Sequence, residues 1–298
     1  MTTTISAAAT EPQDVRAQRG YFGILLRNRK FALGLTILLL FILFSAGSSL
    51  FVPSGQRASG SFQPRLAPGP GGLLGTDSLG RSVALQMSEA IPNSLQIGLI
   101  AATVGTLLGA FIGFVGGYFG KAIDAALRIL IDVFLSVPSL LFLILIASLL
   151  RGVTVQAMAI IIGLFAWAWP ARQVRAQVLS LKERAFVQIA RMSGMSGLEI
   201  IFKELMPHMI PWLGANFVNA FIAAVLAESG LSILGLGPQR ELTMGMMIYW
   251  ALTYSAILQN LWWWWMTPVL TLILLFLALY LIHLGFDEVT NPRLRTEG

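Results

Sequence analysis

Side chains able to do covalent or metal chemistry are scarce in this sequence. It has no cysteine and two histidines, His208 and His283, to which we assign no carboxylate or cysteine partner. Disulfides and a thiolate nucleophile are therefore excluded, and we expect no metal site. Metallopeptidase and serine-hydrolase motifs are also absent. We accordingly predict a chain that has no catalytic residues and binds no cofactor of its own.

Phosphate binding is the next chemistry to consider. The nearest approach to a nucleotide-binding loop is Gly120-Lys121, but Val115 stands where that motif has its first glycine and Ala122 where it has serine or threonine. The glycine-rich phosphate cradle and the hydroxyl that would bind Mg²⁺ are thus both missing. If ATP drives this protein, ATP and Mg²⁺ bind to another chain.

Two carboxyl groups, Asp132 and Glu228, stand at the edges of long apolar runs. An ionisable side chain inside a membrane costs about 2.5–3.5 kcal/mol on insertion scales and usually faces the interior of a helix bundle. Each residue is therefore a candidate for a transport path. Each could equally cap or pair near a helix end, since Ser229-Gly230 follow Glu228, and we prefer that structural interpretation.

Four consecutive tryptophans, Trp262 to Trp265, lie just before the last predicted membrane span. An aromatic belt at the outer headgroup level explains them without any ligand. In the alternative interpretation, one or two of them face the solute route and stack on a sugar ring, because four adjacent positions on a helix cannot all face one way. Trp262 and Trp265 are the candidates for that role.

The elements that carry these residues follow from the composition. Hydrophobic residues make up 56% of the chain and charged residues 11%, with a mean hydropathy of +0.76. A helix needs about 20 apolar residues to cross a bilayer, and six runs without Asp, Glu, Lys or Arg are close to that length or longer. These runs are residues 31–56, 90–120, 133–150, 152–171, 205–227 and 242–286. Strand-type alternation is absent, so the sequence predicts an all-α integral membrane protein.

We predict about six transmembrane helices. They are Phe31–Phe51, Ser94–Phe119, Ile129–Leu149, Val155–Trp169, Met209–Ser229 and Thr267–Leu284. The second contains glycines that let a neighbouring helix approach closely, so it should lie inside the bundle. They are Gly105, Gly109, Gly113, Gly116 and Gly117. The run 242–286 is too long for one crossing, and its first half should be an outside or re-entrant segment.

Basic residues orient the chain. Six crossings put both termini on one side, and fifteen of the twenty Lys and Arg residues then fall on that side, which the positive-inside rule makes the cytoplasm. The predicted segments follow in order. They are a cytoplasmic tail over 1–30, a first helix over 31–52, an extracytoplasmic segment over 53–92, a five-helix core over 93–286 and a cytoplasmic tail over 287–298. The core includes a cytoplasmic loop over 172–208.

This loop is polar and yet patterned. Phe186, Ile189 and Ala190 recur at helical spacing, opposite charged residues. Gly194 then interrupts the pattern, as a residue at a helix C-terminus would. A short amphipathic helix is therefore predicted just before Gly194.

A second short helix should follow directly. Ser196 and Glu199 have the spacing of a capping box, in which each side chain bonds a backbone N–H of the other. The helix would include Leu198 and Phe202 and end near Pro207. One interpretation is an ordinary connecting loop, but two capped amphipathic helices at a membrane face favour a docking surface.

The run from Gln188 to Pro207 resembles the EAA loop of bacterial binding-protein-dependent permeases. That pattern is Glu-Ala-Ala, three residues, Gly, nine residues, Ile, any residue and Leu-Pro. Ala190, Gly194 and Pro207 match it. The positions that depart from it are Gln188, Ile189, Glu204 and Met206.

Other segments resemble the dipeptide and oligopeptide permease branch, specifically its C-type subunit. Residues 74–81 are similar to that branch's Leu-Gly-Thr-Asp-x-x-Gly-Arg-Asp signature, with Ser82 in place of the final Asp. Further similar runs are 116–120, 132–138, 227–237 and 291–295. The resemblance covers about residues 20–295.

The resemblance implies a type I ABC importer permease fold in a bacterial or archaeal cytoplasmic membrane. Expected partners are a second homologous permease subunit, two ATP-binding cassette ATPase domains that hold ATP and Mg²⁺, an extracytoplasmic solute-binding protein and membrane lipid. Nucleic acid is not expected, because the basic residues flank apolar runs instead of clustering. An ATPase groove would receive the loop. The residues implied in this coupling are Gln188, Ala190, Gly194, Ser196, Leu198, Glu199, Phe202 and Pro207.

Two choices stay open. The solute is a short peptide or an oligosaccharide, because some members of this branch carry oligosaccharides. The competing function is an independent secondary transporter, which should show an internal repeat or charged residues near midspan. Neither feature is found in the sequence.

Overall fold

The computed structural model describes residues 23, 25–51, 58–69, 72–150 and 152–290. We number the helices from Arg29 onward. They are α1 (Arg29–Phe51), α2 (Val83–Phe119), α3 (Lys121–Ser136), α4 (Ser139–Leu149), α5 (Val155–Ala166), α6 (Ala168–Leu181), α7 (Ala185–Met192), α8 (Gly197–Ile233), α9 (Met244–Thr253) and α10 (Trp262–Thr290). Most of the tail predicted over 1–30, and the end of the tail predicted over 287–298, lie outside the described residues.

The number of membrane crossings agrees with the sequence. Four helices, α1, α2, α8 and α10, are each long and apolar enough to span a membrane. Two bent pairs, α3–α4 and α5–α6, supply one further crossing each if each pair is a single span. The prediction of an all-α membrane protein with about six crossings is confirmed.

The two ends of the described chain lie on one side of the bundle. Lys30 at the start of α1 forms an ion pair of 2.6 Å with Glu288 near the end of α10. Phe286 of α10 also packs closely on Gly214, in the first half of α8. We call this side, which holds the start of α8, the terminal side. An even number of crossings requires this arrangement.

Both bent pairs break where a proline removes a backbone donor. Val137, directly before Pro138, is extended with φ −97° and ψ 129°, as residues before proline prefer, and α3 meets α4 at 74°. Pro170 has no N–H for the carbonyl of Ala166, and α5 meets α6 at 40°. The third span, predicted over Ile129–Leu149, is thus not one straight helix.

Glycines bring α2 against α5 and α6, as predicted. A Cβ atom on Gly105 would lie 2.9 Å from the side chain of Ala166, one on Gly113 2.6 Å from Val174 and one on Gly117 2.8 Å from Val178. These helices therefore touch almost backbone to backbone, and α2 lies inside the bundle.

Helix α8 corrects a prediction. The short helix expected over Ser196–Leu205 does not end at Pro207; it continues into the fifth span through a π-helical stretch, Ile200–Leu205. Pro207 has no N–H for the carbonyl of Lys203 and its ring crowds that carbonyl. The turn before it widens, and the Met206 N–H bonds the Ile201 carbonyl instead.

Other helix limits also differ from the predicted ones. Helix α2 starts at Val83, inside the segment assigned to the exterior over 53–92, and α10 starts at Trp262 instead of Thr267. The 172–208 region holds the second half of α6, so that only 182–196 joins α6 to α8 around α7. Apolar runs mark the part of a helix that suits lipid, whereas helices extend beyond it wherever backbone bonding continues.

The first half of the 242–286 run forms α9, a helix of 10 residues. It is too short to cross a bilayer. Its residues Met244 to Ile248 are buried, in a core shared with α2, α8 and α10.

Candidate functional site

Helix α7 ends in a left-handed turn, as the sequence predicted. Gly194 has φ +82°, a conformation that glycine adopts at little cost. The N–H of Met195 bonds the Ala190 carbonyl at 3.2 Å, and the N–H of Gly194 bonds the Arg191 carbonyl at 3.1 Å. This is a Schellman ending, and it reverses the chain between α7 and α8.

The predicted capping box is present at the start of α8. The Ser196 N–H donates to Glu199 Oε2 at 3.0 Å, and the Glu199 N–H donates to Ser196 Oγ at 3.3 Å. Lys203 adds an ion pair of 3.0 Å with Glu199. These bonds, led by the one from the Ser196 N–H, lower the pKa of Glu199 to about 2. The turn is therefore fixed with Glu199 ionised.

One face of this segment is fastened to the bundle. Val187 and Ala190 of α7 and Ile200 of α8 are buried in a cluster with Phe114 of α2 and Val178 of α6. The inward face of α7 therefore runs through Val187 and Ala190, because α2 and α6 lie on that side. The face predicted from sequence included Ile189, which is exposed instead.

The opposite side is exposed and carries four large apolar side chains among charged ones such as Arg191 and Lys203. The four are between 59% and 81% exposed. They are Ile189, Met192, Leu198 and Phe202, and we call them the apolar face. Charged residues surround this segment, so it does not lie in the lipid core. Contact with lipid therefore does not explain why these apolar side chains are exposed.

The residues predicted for docking are divided between the two faces. Leu198 and Phe202 belong to the apolar face, whereas Ala190 points inward. Gln188 is half-buried, and its side-chain amide donates to the Lys182 carbonyl at 3.3 Å. The sequence analysis did not select Met192. Its exposure follows from the turn at Gly194, which only the structure describes.

A cavity of about 480 Å³ lies where the two bent pairs approach α8. Its lining combines the α3–α4 break, the α5–α6 break and small residues of α8. Side chains with hydrogen-bonding groups come from Ser139, Trp169, Asn216 and Asn219, and none of the lining residues is charged. The cavity can therefore hold a molecule with apolar and neutral polar surfaces.

Asp132 lies one turn from this cavity, toward the terminal side. It forms an ion pair with Arg172 of α6, and its second oxygen stands 3.7 Å from Nε of Arg128. The residue thus pairs near a helix end and also lines a charged groove beside the cavity.

Glu228 is fully buried, and the hydrogen bonds that it accepts from the described residues come from hydroxyl groups. Ser232 and Thr243 each donate to Oε1 at 2.6 Å, and Ser94 and Ser229 stand 3.5 Å from Oε2. Within the described ranges, no basic side chain lies at ion-pair distance. Glu228 does not line the cavity, and it joins α2, α8 and the start of α9.

The N-terminus of α9 explains how this carboxyl group is accommodated. The N–H of Met246 bonds Thr243 Oγ1 at 3.1 Å, and the N–H of Met244 bonds Ser94 Oγ at 3.0 Å. The two hydroxyls that receive these amides also face Glu228. The positive end of the α9 dipole therefore lies beside the carboxyl group.

The tryptophans divide into exposed and buried members. Trp263 and Trp264 are buried, so the aromatic-belt interpretation is wrong for these two. Trp263 Nε1 donates to the Thr76 carbonyl at 3.0 Å and so holds the 74–81 signature against α10. Trp262 is exposed and Trp265 is half-buried, and neither lines the cavity.

Asp77 organises the 74–81 signature, a role that the sequence analysis did not assign. Its carboxylate is fully buried. Oδ1 accepts from the N–H groups of Leu79 and Arg81 at 2.8 Å each. Oδ2 accepts from Arg81 Nε at 2.7 Å and from Gln86 Nε2 at 3.0 Å. The signature is therefore a folded loop. The aspartate at its centre was the feature of the sequence that could have predicted this loop.

His283 has a carboxylate partner, contrary to the sequence analysis. Its Nε2 lies 3.2 Å from Asp287 Oδ2, one helical turn further on, and its Nδ1 lies 3.2 Å from the Ala215 carbonyl. The i,i+4 spacing was the signal that was overlooked. His208 stacks on Phe186, with ring centroids 4.5 Å apart.

The chain is similar to known proteins. Residues 105–296 match the family described as binding-protein-dependent transport system inner membrane component. The dipeptide transport system permease protein DppC of Bacillus subtilis is 33% identical, over 91% of this chain and 84% of its own. DppC of Alkalihalophilus pseudofirmus is 28% identical, over 93% and 90%. A chain of the methionine ABC transporter MetNI, solved in an inward-facing conformation, has a TM-score of 0.55 at 18% identity, over 69% of this chain and 94% of that one. The last likeness shows a common fold.

Proposed function

Because this chain belongs to the family of binding-protein-dependent transport system inner membrane components, we propose that it is one permease subunit of an ATP-driven importer of short peptides. The relatives named above are dipeptide permeases, which supports a peptide solute. The oligosaccharide alternative has no support among them. Membership in a family that depends on a binding protein also disfavours an independent secondary transporter.

The observation that carries this proposal is the contrast between the two faces of 185–205. The inner face is packed on α2 and α6, and the outer face leaves Ile189, Met192, Leu198 and Phe202 exposed. An apolar surface on a fixed, capped turn is suited to a protein partner. The partner would be an ATP-binding cassette ATPase, which holds ATP and Mg²⁺, on the cytoplasmic side of the membrane. Movement of the ATPase would then shift α6 and α8 together.

The second permease would cover α3 and α4. Helix α3 buries only Ile131, and α4 buries only Leu143 and Ala147, so most of their apolar surface has no contact within this chain. The cavity at the α3–α4 break opens beside that surface. A homologous subunit packed there would complete the solute path, with this chain forming half of it. Solute would arrive from an extracytoplasmic binding protein.

The apolar face can be tested by charge. In the double substitution Leu198→Asp and Phe202→Asp, both side chains are already exposed, so the chain should fold while its ATPase contact is lost. We expect Mg²⁺-dependent ATP hydrolysis that co-purifies with the tagged chain from native membranes to fall at least about tenfold, and uptake of labelled dipeptide to stop.

The matched control is Leu258→Asp, which places a charge at a leucine that is 85% exposed, in the connection between α9 and α10. ATP hydrolysis should co-purify with this variant at the wild-type level. Undiminished co-purification with the double variant would refute the coupling role of the apolar face.

A further inference from the structure

Five charged side chains face one another between α3 and α6. Helix α3 contributes Asp124, Arg128 and Asp132, which are four residues apart and so share one face. Helix α6 contributes Arg172 and Arg175 at the facing positions. The two helices therefore meet through a row of charges on the terminal side of the cavity.

Charges in this row do not balance. Arg175 is matched by Asp124 through two parallel hydrogen bonds, one of them 2.7 Å from Nη2 to Oδ2. Asp132 serves two cations, because one oxygen accepts from Arg172 and the other stands 3.7 Å from Arg128. One positive charge is left over, shared by Arg128 and Arg172, whose side chains are 67% and 50% exposed.

Neighbouring groups do not remove this excess. Lys182 adds a further positive charge close by, and its ammonium donates to the Gly117 carbonyl at 3.0 Å. Arg128 makes no hydrogen bond in the part of the chain that the structure describes, since its contact with Asp132 exceeds hydrogen-bond distance. The donors of this guanidinium are available to a ligand.

The charged row lines a groove of about 380 Å³ that continues the apolar cavity. Arg128, Ile131, Asp132, Arg172 and Arg175 form its walls. The next turn of α3 and the preceding turn of α6 line the cavity itself. A molecule that leaves the cavity along these two helices therefore meets the groove next.

We propose that this groove is a binding site for a single oxyanion, a carboxylate or a phosphate, held by Arg128 and Arg172. A guanidinium presents a planar fork of N–H donors that matches such anions. The aspartate between the two arginines keeps the surplus at one charge, which favours brief binding over a tight complex. The site rests in part on the proposed function, because the carboxylate end of a peptide leaving the cavity is one source of the anion.

A phospholipid headgroup on the same side of the membrane is the other source. Basic pockets between transmembrane helices on the cytoplasmic side bind anionic headgroups. Both ligands offer the same chemistry to Arg128 and differ in what is attached to the oxyanion. The two are separated by offering each one alone.

The test uses the purified full-length chain and the substitution Arg128→Gln. This side chain is 67% exposed and makes no hydrogen bond with the described residues, so the variant should fold. In the first arm, binding of acetyl-Ala-Ala is compared with binding of its C-terminal amide. In the second, retention of phosphatidylglycerol is compared with retention of phosphatidylcholine by native mass spectrometry. Arg240→Gln, at an exposed arginine between α8 and α9, is the matched control.

In one arm at least, the wild-type chain should prefer the anion by about tenfold, which corresponds to 1.4 kcal/mol. Arg128→Gln should remove the preference and Arg240→Gln should keep it, and the arm in which this occurs identifies the source. Equal binding by all three proteins in both arms would overturn the site. ATPase co-purification is measured separately, so a failure of the proposed function can be told apart from a failure of this anion site.

Discussion

Two regions on the terminal side of this protein are built in opposite ways. Helices α2 and α6 touch through glycines and hold the segment that carries the apolar face. Helix α3 lies beside them, buries one residue and faces α6 through ion pairs. Close packing transmits displacement, because dense interiors do not deform gradually. The Arg172–Asp132 pair is about half exposed, and exposed ion pairs contribute at most about 1 kcal/mol, whereas the Arg175–Asp124 pair is largely buried. The first region is thus suited to move as one body, and the second is held to it less tightly.

The largest expected effect is at Glu228, the buried group that joins α2, α8 and the start of α9. Glu228→Leu removes the carboxylate that accepts from Ser232 and Thr243, so that these two buried hydroxyl groups lose the acceptor of their protons. A buried polar group without a partner costs about 1–3 kcal/mol, so the unfolding free energy should fall by at least about 2 kcal/mol. Thermal unfolding of the purified chain measures this loss.

Glu228→Gln is the control, because its amide oxygen still accepts from the hydroxyls. It should lose less than half as much stability as the leucine variant. If the two variants were equally stable, the hydroxyl network would not be what holds α9 in place.

An intermediate effect is expected at the seam between α2 and α6. Gly117→Ala places a Cβ atom 2.8 Å from Val178 and 3.1 Å from the Arg175 carbonyl. Overpacking of this kind costs about 1–3 kcal/mol. The adjacent substitution Gly116→Ala meets no atom closer than 3.5 Å and should be neutral or slightly stabilising, because alanine favours a helix. The difference between the unfolding temperatures of the two variants measures how closely α2 and α6 pack. Equal temperatures would contradict the claim that these helices are packed more tightly than α3 and α6.

The smallest effect is expected on the loosely held side. Leu141 in α4 is 61% exposed, so Leu141→Ala should change the unfolding free energy of the isolated chain by less than about 0.5 kcal/mol. Co-purification of a second permease should nevertheless decrease, since that surface is the proposed contact. A large loss of stability in the isolated chain would mean that α4 is already packed within its own subunit.

Sequence reasoning succeeded where the signal was local. Gly194 and the pair Ser196 and Glu199 were recognised because a helix end and a capping box are each specified within a few residues. The long-range contacts were beyond reach. Trp263 bonds the carbonyl of Thr76, 187 positions away, and nothing in either segment alone specifies that pairing.

Helix faces were predicted less well than helix positions. The apolar positions of α7 fit more than one inward face, and contact with α2 and α6 placed Val187 inside and Ile189 outside. The break at Pro138 had a visible signal in the proline itself. It was missed because an uncharged run was treated as one continuous span.

The π-helical stretch before Pro207 has a consequence for the cavity far along the same helix. A turn closed by five residues in place of four takes up one more residue than an α-helix allows, and each residue of an α-helix advances the side chains by about 100° around its axis. The stretch therefore rotates every later side chain of α8 around the helix axis. Asn216 and Asn219 line the cavity because of that offset; in an unbroken α-helix starting from the same capped turn, they would be rotated away from it. The proline sets, from two to three turns away, which surface of α8 faces the cavity.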